Sequence, residues 1–508
     1  MCALFLVLAF VTCDTADNQT DNPSKAQTIT SFKFLSKDIG WDEDWTGVID
    51  HNTKNITFTT QNWIENIDKL PAVFELDVKG AVVYVNGVPQ VSGTTRNDFR
   101  KDIVYKLSNN AQYTVQFVSP QATGLPVVRI DTLDAAPVLD RENWVRMTFS
   151  LSDPNNPQND IAAISEQRIR GRGNTTWGEP KKPYRIRFDK DKQQSPFGLP
   201  AAENWVLLAN YVDRTFLGNS FAFELGKRLG LAYTCSYNHV EFFMNGQYQG
   251  SYVFTEHRQA DPAETGAPGR PKVDLKEGWF VEIAFQYDED PRFTTTNYAM
   301  PIMIKTPEDS NDTSMDNPVY AFVRDDWNEI AQLVISTDFP ENGYRDLVDI
   351  DTLVKFFMVN IITNNSDFNV MTYDGRDHPG SIFFYRDKGG KISAGPLWDF
   401  DRFFDFNPPL TATTYPYPTY PFFERFFDDP VFAARWKTIW NENYTNNIAS
   451  MSAYIDTMAN KIRKSAIEDL KRWRPAESGT AFDSRISGMK DYANTRIAFL
   501  NTEYNKTE

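Results

Sequence analysis

The sequence predicts an α+β protein in two parts: an N-terminal β-sandwich over residues 27–119, then a larger unit over residues 124–505 that ends in helices. Three observations predict it. Short runs of alternating apolar and polar residues, broken by Asn, Gly and Asp, fill the first part. The second mixes strand-like and helical patterns without a regular strand–helix–strand repeat. Its end, from about Asp429 to Asn501, carries apolar residues at helical spacing, with Phe432, Trp436, Ile439 and Trp440 in one stretch and Ile455, Met458 and Ile462 in the next.

Along the chain, residues 1–26 come first. Ala3 to Val11 is apolar and stops at Thr12-Cys13-Asp14, an apolar length of about ten residues that suits a signal-peptide core and falls short of a membrane span. An Asp-, Asn-, Thr- and Ser-rich spacer follows. This resembles a bacterial lipoprotein start acylated on Cys13, although no Lys or Arg precedes the apolar run and Phe10 and Thr12 are unusual around such a cleavage site. An ordinary cleaved signal and an uncleaved segment are the alternatives. The expectation is export and a lipid tether at the cell envelope.

The sandwich rests on runs such as Ile56-Thr57-Phe58-Thr59, Ala81 to Val85 and Tyr113 to Phe117, which read as antiparallel strands, and on Asn86-Gly87, a strong hairpin-turn signal. The stretch Ser92 to Phe99 resembles a segment of immunoglobulin-like modules in exported bacterial proteins. Ser119 to Gly124 marks the boundary, and a new strand pattern starts at Leu125.

Charge and composition exclude several functions. With 52 Lys and Arg against 68 Asp and Glu, the net charge of -16 argues against a nucleic-acid partner or a lipid-binding surface over the whole protein. Three cysteines, Cys2, Cys13 and Cys235, cannot build a disulfide framework or a thiolate zinc site. His51, His239, His257 and His378 are too scattered to read as a metal cluster. Chemistry must lean on carboxylates, lysines and arginines.

Those residues concentrate in two places. Between Arg168 and Arg187 seven basic side chains flank the Gly-rich turn Gly171-Arg172-Gly173-Asn174. Glycines let backbone N–H groups approach an anion, and cations neutralise it; the turn is equally readable as an ordinary hairpin. Further on, Asp351 to Asn364 reads as a helix, running into the polar loop Asn364-Asn365-Ser366-Asp367. A hairpin of Ser381 to Tyr385 and Lys391 to Ala394 then delivers Gly395-Pro396-Leu397-Trp398-Asp399-Phe400-Asp401. Helix, Asp-bearing loop, hairpin and Asp-bearing loop is the order in which protein kinases present their base and a magnesium-binding aspartate. Magnesium takes one or two carboxylates plus phosphate oxygens, which Asp399 and Asp401 can supply; as local structure the same aspartates read as turn and helix caps. His-Arg-Asp is absent, and Asp-Phe-Asp stands where Asp-Phe-Gly would.

The runs Arg170 to Trp177, Lys181 to Phe188, Trp205 to Tyr211, Gly250 to Glu256 and Gly395 to Asp401 resemble, in order, the successive motifs of the CotH family, the spore-coat-type atypical protein kinases. The resemblance covers about Leu125 to the C-terminus. It implies a diverged protein-kinase-like fold that binds ATP with magnesium and phosphorylates serine or threonine of a partner protein. It implies Asp367 as the catalytic aspartate, Asp399 as metal ligand and Asp401 as a second metal candidate. Lys182, read as lying in the strand after the Gly-rich turn, is the phosphate-binding lysine on this resemblance, with Glu256 as its ion-pair partner. Lys305, Arg172 and Asn174 are further nucleotide-site candidates. Lys182, Glu256 and Lys305 also read plainly as surface-strand residues. The second metal position is open among Asn369, Thr372 and Ser381, a departure from the family pattern.

Three functions follow from this reading: an exported atypical kinase, a kinase-like surface-binding or adhesion protein without turnover, and a glycan-active surface protein. The acceptor and the oligomeric state are not legible.

Overall fold

The computed structural model describes residues 27–39, 43–59, 67–99, 102–118, 123–199, 201–258, 278–287, 289–307, 312–368, 371–373, 376–402, 411–477 and 479–506. The signal or lipoprotein segment with Cys13, and Asn369, lie outside them. The chain divides into two compact units, 1–120 and 121–508.

In the first unit, strand Ile29–Phe34 pairs with Trp45–Thr46 and Val73–Leu76. A six-stranded sheet runs in the order Val48–Asp50, Asn55–Thr59, Gln112–Val118, Ile103–Leu107, Val83–Val85, Val88–Pro89. Alternation does its expected work: Ile103, Tyr105 and Leu107 are buried and the two residues between them exposed. Phe32 and Phe34 of the first sheet share one core with Ile56, Phe58, Tyr105 and Val115 of the second, and Phe32 meets Tyr105 edge-on at 5.0 Å. Asn86 and Gly87 have φ of 48° and 80°, as the Asn-Gly hairpin requires. One expectation is corrected: Asn55–Thr59 pairs parallel with Gln112–Val118, so the sheet is mixed. Alternating sequence fixes which face is buried, not the direction of a neighbour distant in the chain.

The second unit begins with a closed seven-stranded barrel. Its order is Val127–Thr132, Val145–Ser152, Ile161–Gly171, Tyr184–Arg187, Asn204–Leu208, Gln247–Glu256, Tyr237–Met244. Parallel pairing of its first strand with Tyr237–Met244 closes it. Val128, Ile130, Phe149, Ile169, Ile186, Trp205, Leu207 and Phe254 fill the inside. Because side chains alternate, Arg168, Arg170, Arg185 and Arg187 point outward from strands whose Ile169 and Ile186 point in.

A five-stranded sheet follows in the order Arg292–Thr294, Pro301–Thr306, Trp279–Ile283, Ile382–Arg386, Ile392–Ala394. Against it lie helices Pro318–Ile335 and Ile350–Ile362. Asp349 caps the second, accepting from the Thr352 N–H at 3.1 Å. The helical end comprises Pro430–Asn443, Met451–Trp473 and Gly479–Tyr504, and its aromatic stripes are core. The protein is α+β. Among the described residues no helix is long and apolar enough to cross a membrane.

Candidate functional site

Four segments meet at one pocket. The Gly-rich turn brings Arg172 and Thr176, and the loop after it Lys181 and Pro183; the end of strand Asn204–Leu208 brings Leu208, Ala209, Asn210 and Tyr211. Asn219, in the first turn of helix Gly218–Arg228, and Trp398, Asp399 and Asp401 complete the lining. The pocket is partly open to solvent, and about 410 Å³ of empty space, open solvent included, lies between its walls.

Local bonds hold the acidic loop in place. Strands Ile382–Arg386 and Ile392–Ala394 pair antiparallel, and the Gly395 N–H donates to the Phe383 carbonyl at 2.9 Å. The Phe400 N–H donates to Asn219 Oδ1 at 3.0 Å, tying the loop to the start of helix Gly218–Arg228. A side chain at position 218 would put its Cβ 2.3 Å from the Phe400 carbonyl oxygen, so glycine permits this approach. Buried Asp213 caps the same helix, accepting from the Gly218 N–H at 2.7 Å. Asn210 and Asp399 adopt left-handed backbone, with φ of 52° and 65°. Asn and Asp tolerate this region better than most residues, and such conformations cluster at functional sites.

The three predicted aspartates form one electrostatic group. Burial, with Asp399 beside it, pushes Asp367 up to about 7, while Arg402 and a 3.4 Å hydrogen bond from Ser366 Oγ act in the other direction. Asp401 is held well above the usual carboxylate range by burial, then by Asp399 and Asp367. Ser381 Oγ donates to Asp399 Oδ2 at 3.3 Å, which places this second-metal candidate against the acidic loop. The side chain of Thr372 lies outside the described ones. Opposite, Arg172 is brought down to about 10 by burial and by Arg258, with Asp399 and Asp401 opposing the shift. Its guanidinium stacks on Trp398 at 5.5 Å, as does that of Arg258.

The lysine expectations are corrected. Lys182 lies in the loop before strand Tyr184–Arg187, not in it, because Pro183 between them has no N–H for the ladder. Its ammonium donates to the Trp177 carbonyl at 2.8 Å and does not line the pocket. Lys181 lines it instead. The Lys181 ammonium is buried, paired with Asp469 of helix Met451–Trp473, and donates to the Ser251 carbonyl at 2.5 Å. Glu256, buried at the end of its strand, accepts from the Ser236 N–H at 3.0 Å, and among the described contacts there is no ion pair between it and Lys182. Lys305 bridges Glu282 at 2.9 Å and Glu289 at 2.5 Å, and Arg258 reaches Glu282 at 3.3 Å. Asn174 is exposed and accepts from Arg141, outside the pocket lining.

Sequence reasoning therefore brings together Arg172, Asp399 and Asp401, with Asp367 beside them, and misses Lys181, Asn210, Asn219 and Arg258. Lys181 sits within a motif already singled out, one position from the residue chosen. Arg258 carried no sequence signal; it follows Glu256 by two positions and is picked out by its stacking on Trp398, its ion pair with Glu282 and its effect on Arg172.

Among the described residues no group of three or more His, Cys, Asp or Glu side chains is arranged to hold a metal alone. Magnesium does not require one, since substrate phosphates and water complete its octahedron. Asp399 and Asp401 offer hard carboxylate oxygens whose mutual repulsion a cation relieves, so the donor set fits.

The search of curated proteins finds no match. A crystal structure of a DUF4623 family protein from Bacteroides eggerthii DSM 20697 is similar over 36% of this chain and 53% of its own, at 13% identity and a TM-score of 0.15. The chain thus spans about half that structure's length, and a likeness of this degree carries no argument. The family description "CotH kinase protein" matches residues 169–500, from the strand before the Gly-rich turn to the last helix, and takes in every pocket-lining residue. The chain belongs to the CotH kinase protein family.

Proposed function

We propose that this chain is an atypical protein kinase with a diverged kinase-like fold, which transfers the γ-phosphoryl group of ATP to serine or threonine of a partner protein. What carries the reading is one pocket in which Arg172 and Lys181 face Asp399 and Asp401, with Asp367 electrostatically coupled to Asp399. Phosphoryl transfer asks little else of a protein than positioning and charge stabilisation.

In this reading Asp399 and Asp401 would hold magnesium, which would supply neutralisation of phosphate charge. Arg172, stacked on Trp398, neutralises charge from the other wall. Asp367 accepts the proton of the acceptor hydroxyl as its oxygen bonds to the γ-phosphorus; the bond from that phosphorus to the β,γ-bridging oxygen breaks, and ADP leaves. Export, a lipid on Cys13 and an acceptor at the cell envelope belong to the same proposal, as does an immunoglobulin-like reading of the first unit.

The test is transfer from labelled ATP with magnesium to candidate acceptors, beside thermal stabilisation by ATP–magnesium. Asp367→Asn is expected to lose about 10²- to 10⁴-fold in transfer, the usual share of a general base, and to keep the stabilisation. Asp399→Ala is expected to lose both. Transfer that persists unchanged in both variants removes the assignment. Lack of any ATP–magnesium stabilisation favours the surface-binding alternative, and stabilisation by sugars the glycan-active one.

A further inference from the structure

Arg170 and Arg185 stand directly opposite each other on antiparallel strands of the barrel. Both face outward, and both guanidinium groups lie over Trp144, at 4.6 Å and 5.8 Å. Like charges in such a pair repel across the sheet. The neighbouring pair, Arg168 opposite Arg187, is balanced by Asp189 at 2.9 Å and by Glu203. Arg170 and Arg185 have no such ion pair among the described residues. Among the described residues, Arg185 donates only to the neutral Asn204 Oδ1, at 3.2 Å and 2.9 Å. Arg170 reaches only the Glu142 carbonyl at 3.5 Å, and its Nε is buried without a partner.

Nearby acids act on the pair only through space: Glu289, Asp140 and Glu142 oppose the fall that burial imposes on Arg170, and among the described residues none of their carboxylates is hydrogen-bonded or ion-paired to it. Glu289 is bridged by Lys305 at 2.5 Å. Asp140 accepts from the Glu142 and Asn143 N–H groups at 2.8 Å and 2.7 Å. Burial, with Arg170, Arg258 and Arg187 around it, brings Arg185 down to about 9. Half-buried cations without an acid are costly, and guanidinium groups fixed on an aromatic face are preorganised to grip a carboxylate. Neither arginine lines the candidate pocket, but Arg172, which does, follows Arg170 by two residues, just past the end of strand Ile161–Gly171.

We propose that Arg170 and Arg185, stacked on Trp144 with no carboxylate bonded to either among the described residues, dock an acidic side chain of the acceptor protein, so that the preferred serine or threonine lies in an acidic segment. The inference rests on the kinase reading for its substrate. A short acidic segment is favoured over a nucleic acid or an anionic membrane, because the net charge of -16 repels an extended polyanion while the local pair attracts a single carboxylate.

The test is fluorescence anisotropy with the full chain, without nucleotide, using a fluorescein-labelled serine peptide flanked by Glu and its counterpart flanked by Gln. The Glu peptide is expected to bind at least about tenfold tighter, the scale of a hydrogen bond to a charged group. Arg170→Gln combined with Arg185→Gln is expected to erase that preference while leaving stabilisation by ATP–magnesium intact. Removing the repulsion is expected to keep or raise the melting temperature; if the double variant does not fold, Arg170→Gln alone is read in the same way. Equal binding of the two peptides overturns the proposal. So does a preference that survives the variants, or arginine-dependent binding of single-stranded RNA or phosphatidylserine vesicles without the Glu peptide. Arginine-dependent peptide binding without transfer upholds the docking site and removes the kinase reading. Equal phosphorylation and equal binding of both peptides does the reverse.

Discussion

Replacing Lys181 by Met tests whether the pocket is held to the C-terminal helices by a buried charge pair. The two side chains of the Lys181–Asp469 pair are 0% and 6% exposed. Burial pushes Lys181 down and Asp469 up, and each partner restrains the other's shift. Lys181→Met leaves Asp469 with the Ser251 N–H, 2.9 Å away, and no cation bonded to it. Breaking one side of a buried pair costs about 3–5 kcal/mol. For a unit spanning residues 121–508, that is a fall of roughly 4–6 °C in melting temperature. Lys181→Met combined with Asp469→Leu replaces the pair by apolar groups and is expected to recover at least half the loss. Calorimetry of wild type, both single variants and the double variant closes the cycle. A double variant whose loss is the sum of the single losses, within about 0.5 kcal/mol, refutes the coupling.

Two further outcomes are expected. His239 is fully buried, neither ring nitrogen has a hydrogen-bond partner, and burial, with Lys461 nearby, brings it down to about 3. The unfolded chain binds this proton below about pH 6.5 and the folded chain does not, so stability is complete above that pH and falls as the pH drops toward 3. His239→Leu is expected to reduce the loss of stability between pH 7 and pH 5 by about 2 kcal/mol; parallel melting curves for the two proteins at those pH values contradict this. Gly218→Ala is expected to push the Phe400 carbonyl away from helix Gly218–Arg228, weakening ATP–magnesium stabilisation while costing about 1–3 kcal/mol of stability. An unchanged nucleotide shift removes that link.

Much of the path to the site was legible where chemistry and local pattern coincide. The predicted helix before Asp367 runs as Ile350–Ile362, and the hairpin before Asp399 pairs as Ile382–Arg386 with Ile392–Ala394. Asn86-Gly87 fixes its turn by backbone preference alone. What local pattern does not carry is partnership at long range. Closure of the barrel by parallel pairing of Val127–Thr132 with Tyr237–Met244 has no local signature. Neither does the choice of Lys181 over Lys182, which depends on how the chain turns before Pro183 and on an aspartate in a distant helix. Glu256 lies in the expected strand but bonds to the Ser236 backbone, since burial rewards whichever donor is adjacent.

The distance in sequence between Lys181 and Asp469, 288 residues, sets an order of events during synthesis. A growing chain can assemble the barrel and present Arg172 long before the carboxylate that neutralises Lys181 exists. Gly250 keeps a berth for it: its φ is 113°, and a Cβ there would lie 2.2 Å from Asp469 Oδ2. Until helix Met451–Trp473 arrives, Lys181 can stay hydrated and the wall it shares with Asp399 is unfinished. The pocket is therefore completed only late in the chain's manufacture, so a ribosome-bound or C-terminally truncated product is expected to show no stabilisation by ATP–magnesium however well its first strands have folded.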